Sequence, residues 1–113
     1  MDQEQSKISK LAAFLKKNPR DSFSKFALAL ELLKQNDVNK AKLLFESIRE
    51  QDPDYLGVYY HLGKLYGQIG LLEQARDLFL EGIELAKKQQ NHRTEIELKD
   101  ALELIKIELN HEK

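Results

Sequence analysis

Cysteine is absent from the 113-residue chain, and proline and glycine are scarce, with two and five residues respectively. Without cysteine, the chain can form neither a disulfide framework nor a thiolate metal site. Proline and glycine are the residues that most often interrupt helices, so their scarcity permits helix along nearly the whole chain. We therefore expect helices separated by short connections, and no strands.

Long apolar segments are also absent. No run approaches the ~20 apolar residues that a membrane-spanning helix requires, and residues 1–10 lack the apolar core of a secretory signal. These absences predict a cytoplasmic protein that makes no membrane contact. Because 42% of the residues are hydrophobic and 33% are charged, the chain is expected to form a single globular domain, residues 1–113.

An excess of charge of one sign is missing as well. The net charge is −1, with acidic and basic residues interspersed. Nucleic-acid binding usually requires a clustered basic surface, so we predict no nucleic-acid partner. The densest basic cluster lies near the N-terminus, and we interpret it as a solvated helix face, with phosphate or acidic-lipid binding as the alternative. Its members are Lys7, Lys10, Lys16, Lys17 and Arg20.

Candidate catalytic and metal-binding residues are dispersed. The three histidines, His61, His92 and His111, are far apart in sequence, and none has a second ligand at metal-binding spacing. The acidic residues are spread along polar helix faces, and the chain has no glycine-rich phosphate loop. Catalysis requires acid–base or nucleophilic groups that converge in one pocket, so we predict no enzymatic activity, no cofactor and no metal site.

Apolar periodicity and helix-end signals predict six helices. They cover residues of about 6–17, 23–35, 38–51, 55–69, 72–88 and 94–110. Asp21 or Ser22 is the expected N-cap of the second helix, and Asp37 that of the third. Asn36 and Gly70 are suited to the left-handed conformation that ends many helices.

The last predicted helix has an unusually wide apolar face for a terminal helix. Thr94, with Glu97 three residues later, fits a capping box at its start. The main face comprises Leu98, Ala101, Leu102, Ile105 and Leu109. Three further apolar residues lie off that face, namely Ile96, Leu104 and Ile107. We expect this helix to cover an end of the fold.

The chain repeats itself after 34 residues, and this period in a helical sequence is the signature of stacked helical hairpins. Small residues of the repeat are expected where helices cross, and large ones between the helices. Gly82 lies within a predicted helix, where glycine costs roughly 1 kcal/mol relative to alanine, so we expect close helix packing there. The aligned pairs are Pro19/Pro53, Leu28/Leu62, Ala29/Gly63, Leu32/Tyr66, Ala41/Ala75 and Phe45/Phe79.

These residues resemble the tetratricopeptide repeat family. Its motif has an aromatic residue, a Leu-Gly pair and a tyrosine on a first helix, then alanine, phenylalanine and a small residue on a second. The second copy matches at Tyr59, Leu62, Gly63, Tyr66, Ala75, Phe79 and Gly82 and departs at Lys87. The first copy matches at Leu28, Ala29, Ala41, Phe45 and Pro53 and departs at Lys25, Leu32 and Ile48.

The resemblance covers about residues 8–88 and implies an all-α fold, a right-handed α-solenoid of antiparallel helix pairs. It divides the chain into an N-terminal half-repeat helix (about 6–17), a first repeat (about 22–55), a second repeat (about 56–89) and a C-terminal capping helix (about 94–110). The atypical ends are expected to mark a complete array rather than a fragment.

The resemblance also implies protein binding, because the first helix of each hairpin in this family lines a concave groove where partner peptides usually lie. The groove positions carried over are Phe23, Phe26, Leu30 and Leu33 in the first copy and Gly57, Tyr60, Lys64, Gly67 and Gln68 in the second, with His61 nearby. The family's clamp for chaperone C-termini is not expected. Phe26 and Leu30 stand where that clamp needs lysine and asparagine.

The groove positions of the first copy form an apolar stripe separate from the Leu28/Leu32 stripe that is expected to pack inside. A helix that is apolar on two sides is normally covered on both. The cover could be a partner peptide, a second copy of the chain or the chain's own terminal segments. Lys64 with Tyr60 could hold an acidic group beside an apolar side chain. We predict a non-catalytic module that binds a peptide or protein segment, with a homodimeric self-assembly unit as the alternative.

Overall fold

The computed structural model describes residues 3–112, apart from the side chain of Glu4, and contains six helices and no strand within that range. They are α1 (Gln3–Lys17), α2 (Ser22–Lys34), α3 (Val38–Gln51), α4 (Gly57–Gln68), α5 (Leu72–Lys88) and α6 (His92–His111). The all-α prediction is therefore confirmed. The ends of the predicted domain, Met1, Asp2 and Lys113, lie outside the described residues.

The helix bounds agree with the prediction for α3 and α5. The largest difference is at α1, which begins at Gln3 rather than near residue 6, and smaller differences occur at α4 and α6. α4 begins at Gly57 rather than near Tyr55. The amide of Val58 donates to the carbonyl of Tyr55 (3.3 Å), and the amide of Tyr59 donates to that of Leu56 (3.1 Å). These bonds reach back three residues rather than four, so a tight turn precedes α4.

The predicted start of α6 at Thr94 is wrong. The helix begins at His92, and the side chain of Asn91 caps it by accepting a hydrogen bond from the Thr94 amide at 3.1 Å. Gln90 has a φ of 58°, the left-handed conformation that ends α5. Because α5 ends at Lys88, shortly before Asn91, Asn91 rather than Thr94 is the N-cap of α6.

Four residues predicted to start or end helices do so, namely Asp21, Asp37, Asn36 and Gly70. Asp21 caps α2 by accepting from the Ser24 amide at 2.9 Å, and hydrogen bonds from Ser24 lower the pKa of Asp21. Asp37 caps α3 by accepting from the Lys40 amide at 3.4 Å. Asn36 has a φ of 60° and Gly70 a φ of 88°, both left-handed. Short polar side chains and one glycine thus start or end these helices at the residues that the sequence predicts.

The described residues form two compact units that divide after Pro53. The first unit contains α1, α2 and α3, which correspond to the predicted half-repeat helix and the first repeat. The second contains α4, α5 and α6, which correspond to the second repeat and the capping helix. Within each unit, consecutive helices pack against each other, and α6 also packs against α4.

The core of the first unit lies mainly between α2 and α3. Ala29, Ala41 and Phe45 are fully buried there, as the repeat pattern predicts, and Ile48 is fully buried beside them. α1 packs on α2 but contributes only half-buried apolar side chains, and Phe14 is 48% exposed. α1 is therefore the helix of this unit with the least buried apolar surface.

A polar cluster joins the start of α2 to the end of α3. The ammonium of Lys25 donates to Ser47 Oγ and to Gln51 Oε1, each at 2.8 Å. The Gln51 amide in turn donates to the Arg20 carbonyl and to Ser22 Oγ, each at 3.0 Å. Lys25 is where the repeat motif favours an aromatic residue, and its hydrogen bonds explain why lysine is accommodated there.

Two glycines allow close packing in the core of the second unit. A Cβ at Gly63 would lie against the Phe79 ring, 2.8 Å from Cδ1, and one at Gly82 would lie 2.8 Å from Tyr59 Cβ and 3.0 Å from Leu98 Cδ1. The close packing predicted for Gly82 is thus confirmed. Tyr66, predicted to fill the space between helices, is only half-buried.

Candidate functional site

The groove positions of the first unit are not equally exposed. Phe23 is 71% exposed, whereas Phe26, Leu30 and Leu33 are half-buried. The Phe26 ring lies 5.8 Å from the Phe45 ring, centroid to centroid, at an interplanar angle of 59°. Since Phe45 is fully buried, Phe26 belongs partly to the core. Phe23 is thus the aromatic groove position of α2 that is most accessible to a partner.

The groove positions of the second unit, apart from Gly57, line a cavity between α4 and α6 with a volume of about 360 Å³. Tyr60 and Lys64 both contribute, with Gly67 and Gln68 from the next turn of α4. A cavity of this size accommodates one or two side chains of a partner. The complete lining is Tyr60, Lys64, Gly67, Gln68, Phe79, Glu97, Asp100, Ala101, Leu104, Ile105 and Glu108.

α6 supplies about half of this lining, and the sequence interpretation did not assign any of its residues to a site. Glu97, predicted to close a capping box, lines the cavity instead. Leu104 also lines it and is 65% exposed. The sequence feature that could have identified Leu104 as a lining residue is its position off the main apolar face of α6. Exposed apolar residues that are contiguous with a packed face can form part of a binding groove.

Tyr60, His61 and Lys64 form a contiguous group on α4. The Lys64 ammonium lies 5.3 Å from the centroid of the Tyr60 ring, a cation–π distance. The His61 ring meets the Tyr60 ring edge to face, with centroids 5.4 Å apart and an angle of 89°. His61 does not line the cavity. The structure therefore brings the three predicted residues together but gives only Tyr60 and Lys64 access to the cavity.

Burial lowers the pKa of His61, the positive charge of Lys64 lowers it further, and the negative charge of Glu97 opposes both. His61 is thus influenced by a residue on each side of the cavity. A lowered pKa keeps the imidazole neutral at pH 7.

The lining combines an apolar floor with charged residues. Phe79 and Ile105 are buried, and Ala101 and Leu104 extend the apolar surface outward. An arrangement of this kind holds an apolar side chain and orients it through the charged groups. Among residues 3–112, no three histidine or acidic residues are grouped so that they could hold a metal ion. In the same range, every helix is too short or too polar to cross a bilayer.

Comparison with known proteins identifies related sequences and structures. A family model described as Tetratricopeptide repeat matches residues 32–94, more than half of the chain. A crystal structure of a tetratricopeptide repeat domain protein from Salinibacter ruber is 42% identical, with a TM-score of 0.74. That match covers 76% of this chain and 97% of the Salinibacter chain.

Two further matches are more distant or shorter. The TPR2B domain of yeast Sti1 in its complex with pHsp70 has a TM-score of 0.82 at 14% identity, and the match covers 89% of this chain and 81% of that one. At this identity the likeness concerns the fold alone. Pre-mRNA-processing factor 6 of Homo sapiens is 34% identical over 56 residues, which are 50% of this chain but 6% of that protein. The chain thus corresponds to a small part of this relative.

Proposed function

Because the chain belongs to the tetratricopeptide repeat family, whose repeats are non-catalytic protein-interaction modules, we propose that it binds a segment of a partner protein in the cavity between α4 and α6. The observation that carries this proposal is the cavity itself. It opens beside two groove positions, Tyr60 and Lys64, and has an apolar floor. A partner side chain would insert over Ile105 and Leu104 while its backbone follows α4.

The first unit offers a second contact area. Phe23 is the most exposed large apolar residue in the described chain, at 71%. We propose that it contributes to partner binding, with Leu30 and Leu33 exposing part of their side chains on the same helix. Phe26 would contribute less, because its ring already packs on Phe45.

To test the proposal, a peptide that binds the immobilised protein is selected from a random displayed library. Its affinity for the wild type and for variants is then measured by fluorescence anisotropy. Leu104→Gln replaces the apolar side chain at the cavity with a neutral polar one of similar size, without disturbing a buried side chain. We expect it to weaken binding about fivefold or more, because the loss of a contact at the centre of an interface typically costs ~1 kcal/mol or more. Ile107→Gln is the matched control, since Ile107 is 53% exposed on the same helix and does not line the cavity. Equal effects of the two substitutions would place binding elsewhere.

The alternative, self-assembly into a homodimer, is favoured by one observation. α6 exposes three large apolar side chains, at 60% for Ile96, 65% for Leu104 and 53% for Ile107. Exposed apolar clusters often mark contacts between subunits. Light scattering after gel filtration distinguishes the two. A dimeric mass that Ile96→Glu/Ile107→Glu reduces to a folded monomer would support self-assembly, and a monomeric wild type would exclude it.

A further inference from the structure

Carboxylates outnumber cations around the cavity of the second unit. Glu97, Asp100 and Glu108 all line it from α6, and Lys64 is the single basic residue among the lining residues. All three carboxylate residues are exposed. They recur at helical spacing along one side of α6, so they present negative charge along the length of the cavity rather than at one point.

The neighbouring basic residues of α6 do not neutralise these carboxylates. Lys99 Nζ pairs with Glu95 at 2.7 Å, and Lys106 Nζ pairs with Glu103 at 3.8 Å. None of these four residues lines the cavity. Glu97, Asp100 and Glu108 form no ion pair with another described residue. Their charge is therefore available to a ligand.

Lys64 does not reverse this balance. Its ammonium lies over the Tyr60 ring, 5.3 Å from the centroid, where the electron-rich face of the ring attracts it. The nearby carboxylates would attract a ligand cation. An acidic ligand group, which the sequence suggests as a ligand for Lys64 and Tyr60, would have to approach one ammonium against three carboxylates. The charges around the cavity favour a basic ligand instead.

We propose that the partner segment carries an apolar side chain flanked by lysine or arginine. The apolar side chain occupies the cavity over Leu104, Ile105 and Phe79. The flanking cations pair with Glu97 near one end of the lining and with Glu108 near the other. This inference deepens the proposed function and rests on it, because it names the chemistry of the segment that the cavity binds.

Two matched short peptides test the charge preference. Each has a central leucine, flanked in one by arginines and in the other by glutamates, and each is titrated into the isotope-labelled full chain at low salt. We expect the arginine peptide to bind at least about tenfold more tightly, to shift the amide resonances of α4 and α6, and to lose this advantage as salt screens the charges. An equal or reversed preference would overturn the proposal.

Substitutions then assign the preference to the carboxylates. Glu97→Gln/Glu108→Gln should weaken the arginine peptide by roughly twofold to fivefold for each charge removed, the range for exposed ion pairs. It should leave the glutamate peptide no weaker. Glu103→Gln is the matched control, because Glu103 is on the same helix and outside the lining. An unchanged preference in the double variant would overturn the assignment.

The outcomes separate this inference from the proposed function. If library-selected peptides bind at the cavity but are acidic or uncharged, the charge inference fails and the proposed function stands. If selected peptides bind without any effect of Leu104→Gln, the proposed function fails as well. If Glu-flanked and Arg-flanked peptides bind equally and both respond to Leu104→Gln, only the charge inference is lost.

Discussion

Gly82 lies on α5 at the point where α4 and α6 both approach. A Cβ there would lie 2.8 Å from Tyr59 Cβ and 3.0 Å from Leu98 Cδ1. Alanine would gain up to ~1 kcal/mol of helix propensity, but the displacement of two buried side chains typically costs ~1–3 kcal/mol. We therefore expect Gly82→Ala to lower the free energy of unfolding by a net ~1 kcal/mol, and by up to ~2 kcal/mol if the helix-propensity gain is small, as measured by urea denaturation.

Gly67→Ala is the matched control for this prediction. A Cβ at Gly67 would meet only Ile105 Cδ1, at 3.0 Å, the end of a flexible side chain that can move aside. Its helix propensity gain should therefore offset most of the crowding, and we expect a change within ~0.5 kcal/mol. If Gly82→Ala proves no less stable than Gly67→Ala, a Cβ at residue 82 does not crowd Tyr59 and Leu98 enough to reduce stability.

His61 gives the stability of the fold a pH dependence. Burial and Lys64 hold its pKa below the usual 6.5 in the folded chain. Below pH 6.5 the unfolded chain therefore binds a proton at this residue more readily than the folded chain does. The free energy of unfolding should be at its full value above pH 6.5 and should decrease as the pH falls toward the folded pKa.

Urea denaturation at about pH 7.5 and about pH 5.5 measures this loss, with His61→Gln as the test and His92→Gln as its control. His92→Gln is suited to this control because it also removes one histidine, but from a side chain that is 86% exposed. His61→Gln should make the slope between the two pH values shallower. A slope that is the same in all three proteins would show that other groups produce it.

At the scale of one element, the sequence predicts the buried face of α6 correctly and its start incorrectly. Its buried residues Leu98, Leu102 and Ile105 lie on the predicted face. Its start was misplaced, because Asn91 and Thr94 are both good N-cap residues and propensity alone does not choose between them. The left-handed φ of Gln90 decides the choice, and glutamine carries no strong signal for that conformation.

Substitution of the two candidate caps tests the observed start of α6. Asn91→Ala removes the side-chain acceptor of the Thr94 amide and should lower the free energy of unfolding by about 1 kcal/mol. Thr94→Ala leaves that cap in place and should change stability by less than ~0.5 kcal/mol. Both values come from urea denaturation. The reverse order would indicate that the helix starts at the capping box.

At the scale of the whole molecule, the repeat was the most informative feature of the sequence. It aligns the buried Ala41 and Phe45 with the buried Ala75 and Phe79, because both copies pack a pair of helices through equivalent residues. The cavity could not be predicted in the same way. Half of its lining comes from α6, which lies outside the repeat, so no aligned copy indicates what it faces.

α1 in the first unit and α5 in the second differ in how many residues they bury. The apolar residues of α1 are at most half-buried, whereas α5 buries seven residues. Because amide exchange follows local opening, we expect central α1 amides to exchange roughly 100-fold or more faster than central α5 amides, after correction for intrinsic rates. Hydrogen exchange followed by NMR measures the difference. Comparable protection of Leu11 and Phe79 would contradict it.

The position of Tyr60 has a practical consequence. The chain has four tyrosines and no tryptophan, so its near-ultraviolet emission comes from tyrosine alone. Tyr59 is buried, while Tyr60 forms part of the cavity wall beneath the Lys64 ammonium. A ligand that enters the cavity displaces water from this ring and changes the surroundings of its charged neighbour. Intrinsic fluorescence therefore offers an optical readout of occupancy in the unlabelled protein, and Tyr60→Phe removes that signal while it retains the ring.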